Sequence, residues 1–184
     1  MYLAAILISQ YQASLEMLKQ TISEWPEPVW NAASDKNKFW QVACHALYFT
    51  HEYLADSYET FTPWVKHRDV YVFDDSQIFE PYDKESILEY LAFCQQYVAE
   101  RVPQLNLLEP EGHGDRSMIT LELQIYSIRH LMQNTGELME RLGARTGVEI
   151  DWVGSMHACG GSLAPRRPHR RSAAGSTAGP SRAR

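Results

Sequence analysis

The stretch from Ser117 to Leu142, SMITLELQIYSIRHLMQNTGELMERL, decides the fold. Ile119, Leu123, Tyr126, His130, Leu138 and Leu142, with Asn134 or Thr135 between them, recur three or four residues apart. That spacing puts them on one face of a long helix. Gly143 follows where a left-handed residue can close the last turn. Before this stretch, Pro110, Gly112 and Gly114 mark a loop.

Working outward, Asp83 can cap a helix that runs to about Arg101, with Ile87, Leu88, Leu91, Cys94 and Val98 inward and Pro103 stopping it. Tyr2 to about Trp25 repeats the pattern through Leu3, Ile6, Leu7, Tyr11, Leu15, Leu18, Ile22 and Trp25, and Pro26 and Pro28 end it. Ser34 or Asp35 can cap a further helix to about Tyr58, with Phe39, Val42, Ala43, Ala46, Phe49, Tyr53 and Leu54 as its stripe. Between that helix and the next, Phe61 to Tyr82 is aromatic but broken by Pro63, Asp74, Asp75 and Pro81, which predicts a long, partly packed crossover containing Trp64, Tyr71, Phe73 and Phe79. Its aromatic side chains could also line a ligand pocket or cover a partner. The fold class is therefore all-α, a four-helix bundle whose two central helices run parallel because a long crossover joins them. Trp152 is expected to close one end of the bundle.

The 184 residues are 45% hydrophobic and 22% charged, and one domain with one core accommodates them. No run of residues reaches the length of a membrane span, and the apolar start lacks the features of a secretory leader. A cytoplasmic protein without a membrane partner is expected. Cys44, Cys94 and Cys159 are an odd count without CxxC spacing, which predicts reduced thiols rather than a disulfide framework or zinc knuckle.

Charge divides the chain. Every acid lies at or before Asp151, whereas six of the 17 basic residues (Arg166, Arg167, Arg170, Arg171, Arg182, Arg184) lie after it, so the body sets 11 basic groups against 23 acidic ones. Such a body repels phosphate backbones and is not expected to bind nucleic acid. The bundle is assigned to 1–154. Residues 155–184, rich in Gly, Ser, Ala, Pro and Arg, read as a disordered basic tail of vector-derived or frame-shifted origin, in which His157 and Cys159 are not ligands. The competing reading of the tail is a basic arm for nucleic acid or an anionic membrane.

His130 and Asn134 lie one turn apart on the same helix face, the spacing at which two side chains reach one metal ion, and His45 in the middle of the second helix can supply a third donor from across the bundle. Glu52 and Glu137 each follow one of these histidines by seven residues, so either carboxylate could substitute as a ligand; a solvated helix edge is the plainer reading. His51 points about 120° away from His45. Like His67 and His113, it reads as a surface histidine. Cys44 reads as a small core side chain.

The segments YSIRHLMQNTGEL, Tyr126 to Leu138, and HALYFTHEYL, His45 to Leu54, resemble the DinB/YfiT-like superfamily of metalloenzymes, and the likeness spans the first helix through Trp152. The resemblance implies an up-down-down-up bundle binding a divalent ion, zinc or nickel, through three histidines, one on the second helix and an HxxxH pair on the fourth. His45 and His130 match two of them, and Asn134 stands where the family has the third. An amide oxygen is a poorer ligand than imidazole for zinc or nickel. The implied function is a metal-dependent enzyme, a hydrolase or a thiol-cofactor-dependent transferase with a small-molecule substrate, as a homodimer. The alternative is a non-catalytic bundle with a degraded metal site, acting in small-molecule binding or dimer contacts.

Overall fold

A computed structural model describes residues 2–68, 73, 79–113, 117–159 and 162–165. Four helices, α1 (Tyr2–Glu24), α2 (Phe39–Glu52), α3 (Lys84–Arg101) and α4 (Thr120–Thr146), build the body, with short 3-10 turns at Glu27–Val29 and Val102–Gln104. Among the described residues, no helix is long and apolar enough to cross a membrane. Helices α1 and α2 each pack against both α3 and α4, so the four surround one core. Leu15, Leu18 and Ile22 of α1 meet Leu47 of α2, Leu91 and Val98 of α3, and Leu131 and Leu138 of α4 there. The central parts of the stripes read from three-and-four spacing bury, because only that face can leave water on a bundle helix, whereas Leu3 and Ile6 at the start of α1 and Ile119 ahead of α4 are exposed.

Three boundaries show what local sequence controls. Helix α3 begins where Asp83, extended at φ −70° and ψ 165°, accepts the Ser86 N–H at 2.7 Å and so satisfies one of the amides the first turn leaves open. Helix α2 begins at Phe39 rather than after Ser34 or Asp35. Lys38 is its N-cap, with the Lys38 N–H donated to Gln41 Oε1 at 2.8 Å, while Asp35 instead pairs with Arg141 and Arg145 of α4. It also ends at Glu52, short of Tyr58. Helix α4 runs through Gly143 and stops at Gly147, whose φ of 71° supplies the left-handed cap.

The aromatic residues expected to be partly packed do pack where they are described. Trp64 is buried and stacks on Tyr90 of α3, ring centroids 4.6 Å apart and planes 8° off parallel. Tyr82 is buried as well, and its carbonyl accepts the Trp30 indole N–H at 2.6 Å. Tyr71 lies outside the described residues. Trp152, expected as a lid, is 60% exposed; Val153 and Met156 take the buried positions beside it, against Ala13 and Met17 of α1.

The composition after 154 predicts irregular chain, yet Met156–Cys159 (β1) and Ser162–Pro165 (β2) form an antiparallel pair. One buried methionine and one hydrogen bond, from the Met156 N–H to Ser9 Oγ at 3.1 Å, attach the pair to α1. Residues 166–184, which carry the basic tail, lie outside the described ones.

Candidate functional site: an interhelical histidine pair

Helices α2 and α4 are packed neighbours, and each presents one histidine near its middle to the other. The His45 and His130 Nε2 atoms are 3.0 Å apart, with ring centroids 4.9 Å apart and planes inclined by 57°. Phe49, one turn beyond His45, lies edge-on to both rings at 4.8 and 5.4 Å. Phe73 stacks on His45 at 4.6 Å, and Tyr126, one turn before His130, lies parallel to it at 6.5 Å. Three aromatic rings therefore surround a polar contact and lower its access to water.

Burial holds the His130 ring pKa down to about 4, with the adjacent His45 adding to the effect, so His130 is neutral at pH 7 and keeps a lone pair. Asn134 settles where. Its Nδ2 donates to the His130 carbonyl at 2.8 Å and lies 3.3 Å from His130 Nε2. Exchanging the amide's oxygen and nitrogen would set two oxygens 2.8 Å apart, so the N–H side faces the imidazole. His130 Nε2 then accepts and His45 Nε2 donates. The proton of His130 sits on Nδ1, a buried atom with no hydrogen-bond partner among the described residues. Such a donor costs on the order of 1–3 kcal/mol.

The predicted trio is therefore brought together, but its members are not equivalent as ligands. Two imidazole nitrogens on one tetrahedral zinc stand roughly 3.3 Å apart, so a separation of 3.0 Å needs only a small spread of the two rings to admit an ion between them. Asn134, oriented as a donor, must turn its amide before its oxygen can ligate. Among the described residues, no three side chains of His, Cys, Asp or Glu are grouped to hold a metal. Neither carboxylate considered as a substitute joins the pair. Glu137 bonds Arg141 at the surface, and Glu52, buried at the end of α2, meets Tyr48 Oη at 3.5 Å.

Two histidines expected at the surface are interior. His51 is 3% exposed, its Nδ1 lies 3.3 Å from Tyr90 Oη, and burial with a contribution from His67 lowers its pKa to about 4. His113 is 2% exposed, with Nε2 3.1 Å from the Glu52 carbonyl and Nδ1 3.4 Å from Glu111 Oε2. Beside it Gly112 runs so close to the turn that follows α2 that a Cβ would stand 1.8 Å from the Asp56 carbonyl oxygen. A signal for His51 did exist: FWQVACHALYFTHE is apolar nearly all round, and such a helix buries more than one stripe. Cys44 is a buried core thiol as expected, its pKa pushed up to about 12 by burial.

Fold and site together define a helical bundle with an imidazole pair, one ring of which burial holds neutral, bridging two of its helices. Compared with family models, with curated proteins and with solved structures, the chain matches none.

Proposed function

We propose that this is a DinB-like bundle whose His45–His130 centre takes up a divalent ion, zinc or nickel, for a metal-dependent hydrolase or thiol-cofactor-dependent transferase acting on a small molecule. The observation carrying it is the convergence of two Nε2 atoms, one on a ring held neutral, in an aromatic pocket. A bound ion would supply the charge withdrawal that makes a water or thiol nucleophilic at neutral pH. His45 would hold the ion through Nε2 in the tautomer that carries its proton on Nδ1, and His130, whose Nε2 already bears the lone pair, would hold it without a change of tautomer. Asn134 holds the His130 carbonyl and, after rotation of its amide, completes the donor set.

The up-down-down-up order belongs to the same proposal. It is supported by the bond from Arg141 late in α4 to the Asn37 carbonyl ahead of α2, by the bond from Gln124 early in α4 to the Tyr53 carbonyl after α2, and by Arg101 at the end of α3 reaching the Leu54 carbonyl. Free, buried Cys44 and Cys94 fit the cytoplasm, and exposed Leu3, Ile6 and Ile125 on α1 and α4 fit a homodimer contact.

The engagement of the Asn134 amide as a donor favours a second reading, a non-catalytic bundle whose metal site has degraded. Elemental analysis of the purified, untagged chain separates the two. Stoichiometric zinc or nickel, lost in His130→Ala, is the expected result. Metal that appears only in Asn134→His would establish degradation, and metal in neither protein would remove the metalloenzyme proposal.

A further inference from the structure

A second cleft lies on the other side of α2, toward α3. It encloses about 370 Å³ and is walled by Trp64, Phe93 and Tyr97, with His51 at its base and Thr62 and Val65 at its rim. That volume is within the range of small-molecule sites, and a mostly apolar wall with one or two fixed polar atoms is their usual construction.

His51 is the fixed polar group. Phe61, Phe93 and Tyr97 meet its ring edge-on at 4.9, 4.8 and 4.7 Å, which holds the imidazole plane in place. Its Nδ1 is taken by Tyr90 Oη at 3.3 Å, and its other nitrogen, which meets no donor or acceptor among the described residues, is not sealed off from the cleft. The tautomer follows from Tyr90. This phenol is 1% exposed, and His51 is its one hydrogen-bond partner among the described residues, so an Oη that accepted from Nδ1 would leave its own proton buried without an acceptor. Tyr90 therefore donates to Nδ1, and the ring proton sits on Nε2. Burial keeps the ring neutral at pH 7, so the donor is an N–H without charge.

We infer that this cleft is a binding site for a flat, largely apolar carbonyl compound, such as an aryl ketone or aryl amide, whose oxygen accepts the His51 Nε2–H while its ring lies among Trp64, Phe93 and Tyr97. A charged carboxylate or ammonium is excluded, because the apolar walls offer it no counter-charge.

The test uses the full chain with nitrogen-15 in its histidines and two probes of one shape, acetophenone and ethylbenzene, only the first of which carries an acceptor. Nitrogen chemical shifts should show His51 as the Nε2–H tautomer. Acetophenone should move the His51 Nε2 signal together with the Phe93 and Tyr97 ring signals, and should bind about tenfold more tightly than ethylbenzene, the worth of one hydrogen bond made away from water. His51→Phe should equalise the probes. Thr62→Trp, at an exposed rim position that leaves the core untouched, should abolish binding of both, which keeps the inference testable if His51→Phe does not fold. An Nδ1–H tautomer, equal affinity of the two probes for the wild type, binding unchanged in Thr62→Trp, or no shift at the cleft would each overturn it.

Discussion

At the scale of single residues, the chemistry lies in imidazoles held neutral. His51 has an ordinary pKa of 6.5 that burial, with help from His67, brings to about 4 in the folded protein. Between those values the unfolded chain binds a proton that the folded chain does not, so stability rises with pH: the contribution is complete above the unfolded value and is lost as pH falls toward the folded one. His130 adds in the same direction. The unfolding free energy of the wild type, from urea titrations, should therefore fall between about pH 7 and about pH 4.5, and in His51→Phe it should fall less, by up to about 1.4 kcal/mol per pH unit. Carboxylates are common to both proteins, so the difference isolates His51; parallel pH profiles would contradict the assignment. The His45–His130 pairing was legible in sequence, because helical spacing alone places each histidine on an inward face. The orientation of Asn134 was not. It depends on a hydrogen bond to the His130 carbonyl at 2.8 Å, and periodicity says nothing about which end of an amide points where.

At the scale of helices, legibility follows how a terminus is made. Helix α3 could be read to the residue because a side chain of its own starts it, and Asp83→Ala should cost about 1 kcal/mol, or roughly 2–4 °C in Tm, with Asp83→Asn close to wild type in a thermal melt. Equal loss in both variants would show that charge and not capping sets the effect. Helix α2 was misjudged because Ser34 and Asp35 are both able caps, and the choice fell instead to a contact distant in sequence: Asp35 bonds Arg145, 110 residues away. Gly143 and Gly147 are equally suited to end α4, and helical spacing does not choose between them. The C-terminal turn of α4 goes on past Gly143 where Arg145 pairs with Asp35, a contact distant in sequence.

At the scale of the molecule, the tail was the hardest part to read, because composition averages over a segment while attachment depends on single residues. Met156 is 6% exposed against Ala13 and Met17, and its amide is bonded to Ser9. Burying one such side chain contributes roughly 1.5–3 kcal/mol and the hydrogen bond about 1 kcal/mol, reduced by the entropy of ordering the strands. A chain ending at Pro165 should therefore melt several degrees above one ending at Ser155, roughly 4–8 °C for a net gain of about 2 kcal/mol in a protein of this size. Within the longer chain, Met156→Ala should reproduce most of that loss without removing any backbone, since the apolar contact with α1 is the larger contribution. If the two truncations melt together, β1 and β2 add nothing to the fold and its boundary belongs at 154, as composition alone had placed it.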